Sequence, residues 1–116
     1  MIHLRLFYLE NQTLVGVEVI SAVVPKFRLG QNYPNPFNSE TTIEFYLPQT
    51  FEIEVAIYNL LGQKVKKLWN GRYQAGQHLL HWDGRDEMGR EVASGVYIYQ
   101  LVVGKYRESR KMLLLR

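Results

Sequence analysis

The fold is decided by the stretch TTIEFYLPQTFEIEVAIY, residues 41–58. In its first half, apolar and mostly polar side chains alternate one by one until Pro48 ends the pattern. In its second half, Ile53, Val55 and Ile57 face one way, while Glu52, Glu54 and Tyr58 face the other. Successive side chains of a β-strand point to opposite faces, so this period of two predicts two half-buried strands joined by a turn.

The same alternation continues to the end of the chain and is broken by turn signals. The segment 59–63 places Gly62 at a position suited to positive φ, and Asn70-Gly71 and Ala75-Gly76 are further turn signals. The strand at 96–103 is apolar on both faces, which predicts a central position covered on each side. The strands predicted after residue 40 cover residues 42–47, 52–58, 64–69, 77–83, 96–103 and 106–115.

Two more apolar stretches lie upstream. Residues 4–9 and 14–24 are predicted to form strands around the turn-prone residues 10–12. This strand pair either completes the sandwich or belongs to a neighbouring domain. Residues 25–39 are rich in Asn, Pro and Gly, which predicts an ordered but irregular connector. Short strands with turn signals about every 8–12 residues are typical of an all-β sandwich.

The composition is that of one small folded domain. The chain has 116 residues, of which 47% are hydrophobic, and this is enough for a single core. Its 14 Lys and Arg residues are spread along the chain and leave a net charge of +3, so only a mildly basic surface is expected. The absence of cysteine excludes disulfides, thiolate metal sites and a cysteine nucleophile. No segment approaches the roughly 20 apolar residues of a membrane helix.

The sequence contains no motif of a common catalytic or cofactor site. A Gly-x-Ser-x-Gly elbow, a His-Glu-x-x-His motif and a phosphate-binding glycine loop are all missing. His78 and His81 are three residues apart on a predicted strand, so they face opposite sides and cannot easily share a metal ion. We therefore expect a protein that is not an enzyme and that uses neither a cofactor nor a metal.

Four blocks of sequence and the tail resemble, in order, a known family. They are QNYPNPFN at 31–38 followed by Thr41-Thr42-Ile43, IYNLLGQ at 57–63, WDGRD at 82–86, SGVY at 94–97 and the terminal RKMLLLR at 110–116. In this order they resemble the type A C-terminal sorting domain of type IX secretion, the Por secretion family. The resemblance covers residues 29–116, although Ser39 stands where the family commonly has proline.

The resemblance implies both a fold and a function. The fold is an immunoglobulin-like antiparallel β-sandwich of about seven strands, similar to the second domain of flagellar hook-capping proteins. Residues 29–116 would form this domain, and residues 1–28 would add an N-terminal strand pair. The implied function is a non-catalytic module that directs a cargo protein across the outer membrane, for release or surface attachment.

The resemblance also implies partners, a location and site residues. The partners are the outer-membrane translocon and its shuttle proteins, and the protein is expected to be secreted or at the cell surface after export by a signal outside this sequence. The residues expected to bind the secretion machinery are Arg110, Lys111, Met112, Leu113, Leu114, Leu115 and Arg116. The residues expected to shape the motif loops are Asn32, Tyr33, Pro34, Asn35, Pro36, Phe37, Asn38, Gly62, Trp82, Asp83, Gly84, Gly95 and Tyr97.

Simple physical roles can be assigned to most of these loop residues. Pro34 and Pro36 restrict the backbone and stiffen the connector, and the neighbouring asparagines can bond nearby backbone groups. Tyr33 and Phe37 are expected to pin this loop by packing against the end of the sandwich. A structural loop without a binding role is the more common case for such residues.

The block at 82–86 is expected to hold a buried ring followed by a capped turn. Trp82 would be buried at a strand end, and the carboxylate of Asp83 would cap loop amides. Calcium binding by Asp83, Asp86 and Glu87 is an alternative, but the spacing lacks the EF-hand pattern and arginines lie nearby. A structured loop is favoured.

The last strand admits two interpretations. At a sheet edge, its free backbone groups and apolar side chains would be a template for a receptor that adds a strand. Alternatively, it is a core strand that closes the fold, and both can hold because a core strand can also present one edge.

Other function classes remain open at this stage. The main alternative to sorting is a structural or adhesive immunoglobulin-like subunit that joins identical chains through an edge strand. Carbohydrate binding through exposed tyrosines is conceivable, although packing is the more common role of Tyr58, Tyr73, Tyr97, Tyr99 and Tyr106. Nucleic-acid binding by Lys64, Lys66 and Lys67 ranks last, since no recognition motif accompanies them.

Overall fold

The computed structural model describes residues 2–8, 10, 12–21 and 26–116. The strands, in chain order, are β1 (Ile2–Tyr8), β2 (Leu14–Ser21), β3 (Arg28–Leu29), β4 (Thr41–Leu47), β5 (Phe51–Tyr58), β6 (Lys64–Tyr73), β7 (Gly76–Trp82), β8 (Gly95–Val103) and β9 (Tyr106–Leu114). This described part of the chain contains no helix that could cross a membrane.

Two antiparallel sheets form the sandwich. One has three strands in the order β3-β4-β7, and the other has four in the order β6-β5-β8-β9. Ile43 of β4 pairs with Leu80 of β7, and Val55 of β5 pairs with Leu101 of β8. The predicted all-β, immunoglobulin-like sandwich of about seven strands is confirmed.

The core lies between the inner faces of the two sheets. Alternate residues of β4, β5 and β8 and of the end of β9 are buried there, as the period-two pattern predicts. The buried hydrophobic residues are Leu29, Phe37, Ile43, Phe45, Leu47, Ile53, Val55, Ala56, Ile57, Trp82, Tyr97, Tyr99, Leu101, Val103, Met112 and Leu114.

Strand β8 is central, but it is covered on one side only. It lies between β5 and β9, and its inward residues such as Tyr99 and Leu101 are buried. Its outward residues Val96, Ile98 and Val102 are only half-buried. The prediction that both faces are covered is wrong, because an antiparallel sheet of a two-layer sandwich packs only one face on the core.

Strand β6 runs straight through the predicted Asn70-Gly71 turn. Asn70 pairs with Glu54 and Gly71 with Ile53, so both residues belong to the sheet. Gly71 keeps a φ of 140°, which glycine adopts without strain. The chain leaves β6 after Tyr73 and enters β7 at Gly76, where it crosses to the other sheet. A local turn signal was overridden by cross-strand pairing.

The N-terminal residues and the connector complete the fold. β1 and β2 pair antiparallel as a two-stranded sheet of their own, with Leu4 opposite Val19. The strand pair is confirmed, while Leu9, Pro25 and the strand end predicted at 22–24 lie outside the described residues. The connector contains the short β3, which sequence analysis missed and which pairs with Tyr46 and Phe45 of β4.

Candidate functional site

The proline-rich loop between β3 and β4 caps the end of β9. The amide of Phe37 donates to the carbonyl of Leu113 at 3.0 Å, and the amide of Leu115 donates to the carbonyl of Phe37 at 2.8 Å. The side-chain oxygen of Asn35 accepts the amide of Leu113 at 2.9 Å. These bonds occupy the outward-facing backbone groups at the end of the last strand.

This pairing corrects one interpretation of the last strand. β9 does lie at the edge of its sheet, but the prediction of free backbone groups beside Met112–Leu115 is wrong, because Asn35 and Phe37 occupy them. Met112 and Leu114 also point into the core and are 1% and 0% exposed. This stretch therefore closes the fold and leaves no template for an added strand.

Three of the motif blocks meet in one aromatic cluster. The ring of Phe37 lies 5.7 Å from that of Trp82, and Trp82 lies 5.4 Å from Tyr97 in an edge-to-face contact. The indole N–H of Trp82 donates to the carbonyl of Arg85 at 2.9 Å, and the Tyr97 hydroxyl donates to the carbonyl of Ala93 at 2.7 Å. Burial raises the pKa of Tyr97. The predicted packing of Phe37 and Trp82 is confirmed.

Tyr33 does not pin the loop by packing. Its side chain is 80% exposed, whereas its backbone forms two hydrogen bonds with Thr42, at 2.9 and 2.8 Å. The prediction for Tyr33 is wrong, because the backbone pairing turns this side chain away from the core. The Tyr33–Pro34 and Asn35–Pro36 peptide bonds are both cis.

Asn32 joins the loop to the central strand. Its side-chain amide donates to the carbonyl of Pro34 at 3.2 Å and to the hydroxyl of Thr41 at 3.0 Å, which confirms local backbone bonding. Its backbone amide donates to the hydroxyl of Tyr99 at 2.9 Å, and that hydroxyl donates to the carbonyl of Gly30 at 2.6 Å. Desolvation by burial raises the pKa of Tyr99.

Sequence analysis missed this role of Tyr99. The available signal was a tyrosine on the inner face of a central strand, because a buried hydroxyl needs a hydrogen-bond partner.

The last residue of the chain is docked on the loop between β7 and β8. The Arg116 guanidinium donates to the carbonyl of Gly84 at 2.6 Å and to that of Val92 at 2.8 Å. Its backbone amide donates to the hydroxyl of Ser94 at 2.9 Å. Gly84 has a φ of +70°, and a Cβ added there would lie 2.7 Å from Arg116 Nη2. A side chain at this position would force the end of Arg116 to shift.

The carboxylates of this loop are engaged within the chain. Asp83 accepts the amide of Arg85 at 3.1 Å, and Glu87 accepts the amide of Lys67 at 2.5 Å. Asp86 accepts hydrogen bonds from the backbone amides of Met88 and Arg90. The bond from the Arg90 amide is the main reason that the pKa of Asp86 is lowered. The capping role predicted for Asp83 is confirmed. No metal-binding cluster of three or more His, Asp or Glu side chains occurs in the described ranges.

The remaining motif residues lie in turns or loops or at the start of a strand. Gly62 has a φ of 80° in the turn between β5 and β6, as predicted, and its amide donates to the carbonyl of Asn59 at 3.0 Å. Gly95 begins β8 with a φ of 154° and pairs with Leu114. Asn38 is exposed.

Comparison with known proteins agrees with this architecture. Residues 32–107 match the model of the FlgD Ig-like domain. The chain belongs to the FlgD Ig-like domain family. No match was found among curated proteins.

Solved structures similar to this FlgD-type Ig-like domain include three larger or comparable chains. Dimeric latent PorU from Porphyromonas gingivalis has a TM-score of 0.65 and 17% identity, covering 93% of this chain and 11% of PorU. PorZ of the same organism has a TM-score of 0.52 and 20% identity, covering 78% of this chain and 12% of PorZ. FlgD from P. aeruginosa has a TM-score of 0.48 and 19% identity, covering 82% of this chain and 76% of that one. At these identities the likeness concerns the fold alone.

In this Ig-like domain, the residues expected to bind the secretion machinery fall into two sets. Met112 and Leu114 are buried and belong to the core. Arg110, Lys111 and Leu115 are exposed, although Arg110 Nε also donates to the carbonyl of Leu29 at 2.6 Å. Leu113 is half-buried and Arg116 is docked on its loop. Only the exposed side chains of the tail are accessible to a partner.

Proposed function

We propose that this Ig-like domain is a non-catalytic sorting module of type IX secretion. It directs a cargo protein across the outer membrane, where the cargo is released or attached to the cell surface. Its partners are the translocon and the shuttle proteins of that system, and it works outside the cell or at its surface.

One observation carries the proposal: three of the resembling blocks, far apart in sequence, converge on the C-terminal tail. Asn35 and Phe37 bond Leu113 and Leu115, and the loop around Gly84 holds Arg116. The convergence supports a function in which the tail is presented in one fixed conformation.

A structural neighbour gives secondary support. PorZ is described as an essential bacterial surface component of the type IX secretion system. This chain corresponds to only 12% of PorZ, so the likeness supports a shared module and does not extend to the function of the whole protein.

The proposed recognition is that of a folded surface. Because the loop occupies the backbone edge at Leu113 and Leu115, a receptor has to contact side chains instead. Lys111 and Leu115 are exposed on this tail, and Leu115 shows half of its surface to solvent. These two side chains lie four residues apart along the extended tail, and we propose that the partner contacts both.

The test is an export assay. The whole chain is fused to the C-terminus of a fluorescent reporter with an export signal and expressed in a bacterium that has the type IX system. We expect the reporter outside the cell. We expect a variant with Lys111→Glu and Leu115→Glu to remain in the periplasm, because its fold is kept while its exposed tail is changed.

Arg107→Glu is the matched control. Arg107 is an exposed cation on the same face of β9 as Lys111, but it lies outside the resembling tail. Reversing its charge is therefore expected to leave export intact. Retention of the unchanged fusion in the periplasm, or normal export of the double variant, contradicts the proposal. Thermal unfolding of each purified variant distinguishes lost recognition from a lost fold.

A further inference from the structure

Strand β7 lies at the edge of the three-stranded sheet, and some of its backbone groups face away from that sheet. Thr42 and Glu44 of β4 form backbone hydrogen bonds on the side of β4 opposite to β7. Because bonding alternates along an antiparallel pair, their partners His81 and Leu79 direct their own backbone groups away from β4, and so does Gln77. In the described part of the chain, these outward groups of Gln77, Leu79 and His81 form no hydrogen bond.

The other edge strands of the sandwich are protected against pairing. Glu87 covers part of β6, because its amide donates to the carbonyl of Val65 at 3.2 Å and its carboxylate accepts the amide of Lys67. The Asn35–Phe37 loop covers the end of β9, the rest of β9 carries charged side chains, and β3 has only two residues. By contrast, β7 contains no Lys, Arg, Asp, Glu or Pro and pairs with β4 without a register shift. Sheet edges are normally blocked by such features, so an unblocked edge indicates a site for strand pairing.

The inward side of this edge opens onto an apolar flank of the sandwich. Trp69 of β6 points inward, because it pairs with the buried Val55, and yet it is 39% exposed. Tyr73 packs edge-to-face against Trp69 at 4.9 Å and against His78 of β7 at 4.4 Å. Trp69 and His78 line one open cavity of about 340 Å³, and Leu80, the next inward residue of β7, is only half-buried. An apolar side chain on the inward face of an added strand can enter this cavity.

The outward side of the same edge combines an exposed leucine with negative charge. Leu79 is 57% exposed, and its partner on β4 is Glu44, which has no ion pair within the described ranges. At the next outward position of β7, His81 Nδ1 lies 3.6 Å from the carboxylate of Glu40. A lysine on the outward face of an added strand suits this surface, because its stem packs on apolar groups while its ammonium reaches carboxylates.

We propose that β7 accepts an extended segment of another protein as an additional β-strand. The outward amides and carbonyls of Gln77, Leu79 and His81 match the backbone of such a segment. Its apolar side chains face the cavity beside Trp69 and alternate with polar or cationic ones beside Leu79. A second copy of this chain is a poorer occupant, because β6 lies on the same flank and the three lysines of each β6 would face those of the other copy. This surface is separate from the tail, so it is tested independently of sorting.

The test is an NMR titration of the whole chain with the peptide Lys-Val-Thr-Val-Lys-Val-Thr-Val. With the peptide near saturation, we expect the amides of Gln77, Leu79 and His81 to exchange at least about tenfold more slowly. Residues directly opposite one another share a face, so the lysine and threonine amides face β7 and the valine amides face away. N-methylation of the former is expected to abolish binding, and N-methylation of the latter to preserve it. Glutamates in place of the lysines should weaken binding.

Leu79→Lys is expected to weaken binding at least about tenfold, because a lysine on an edge strand opposes pairing and repels the cationic peptide. Leu61→Lys is the matched control, since Leu61 is 84% exposed but lies in the turn between β5 and β6, and it should bind as the unchanged chain does. The proposal is overturned if the peptide leaves exchange in β7 unchanged, if both N-methylated peptides bind alike, or if both lysine variants do. A molar mass that doubles without peptide also overturns it, because a second copy would then occupy the edge.

Discussion

The guanidinium of Arg116 lies against Gly84, with Nη2 2.6 Å from its carbonyl oxygen and 2.7 Å from the position a Cβ would occupy. The last residue of the chain is thereby fixed to a loop more than thirty positions upstream. Glycine permits this approach of the arginine and adopts the backbone φ of +70° without strain.

Gly84→Ala is expected to destabilise the domain more than Gly89→Ala. Both glycines have positive φ, at 70° and 78°, so each substitution costs about 1–2 kcal/mol of backbone strain. A Cβ at Gly89 meets nothing within 4 Å, whereas one at Gly84 forces the end of the Arg116 side chain to shift and weakens its hydrogen bond to the Gly84 carbonyl, which adds about 0.5–1.5 kcal/mol. Urea denaturation measures the difference. In an Arg116→Ala background, Gly84→Ala and Gly89→Ala should lower the free energy of unfolding by the same amount. If they already do so in the chain with Arg116, the account is contradicted.

Tyr99→Phe is expected to lower the free energy of unfolding by about 1–3 kcal/mol, because it leaves the Asn32 amide and the Gly30 carbonyl without their shared partner. Tyr97→Phe removes a single bond, to the Ala93 carbonyl, and should cost about 1 kcal/mol. Denaturation curves of both variants provide the comparison. A Tyr99→Phe variant as stable as the parent would show that the hydroxyl bridge is unimportant.

The buried hydroxyl of Tyr99 should also make the stability of the domain depend on pH. Burial raises the pKa of Tyr99 above that of the unfolded chain, so the folded state holds this proton more tightly. The resulting stability is fully present below the unfolded tyrosine pKa of about 10 and is lost as the pH rises through the folded pKa. Unfolding measured from neutral to strongly alkaline pH should show a smaller decline for Tyr99→Phe than for the parent. Identical declines would exclude this contribution.

The chain is expected to be a monomer, in contrast to the alternative of assembly through an edge strand. The end of β9 is already capped by Asn35 and Phe37. The other edge of that sheet, β6, carries three lysines and two register irregularities against β5, features that discourage edge-to-edge pairing. Light scattering over a range of concentrations measures the mass. A mass that rises with concentration would favour the assembly alternative.

The sequence predicted the parts of this fold that local patterns determine. The alternation of side chains correctly predicted that Ile43 and Ile57 point into the core, and the glycine signal correctly located the turn at Gly62. Asn70-Gly71 was misjudged because its pairing with β5 is stronger than its local turn preference. The capping of Leu113 by Asn35 joins residues 78 positions apart, and such a contact leaves no periodic trace in the sequence.

The central claim is that the C-terminal tail is a capped, ordered part of the folded domain. Amide hydrogen exchange at Leu113 and Leu115 tests it most directly. Arg107 and Ser109 serve as references, because their amides lie on the same free edge of β9 but outside the part that the Asn35–Phe37 loop covers. The account predicts that Leu113 and Leu115 exchange at least about a hundredfold more slowly than these references, and that Asn35→Ala accelerates Leu113. Equally fast exchange at all four amides would contradict it.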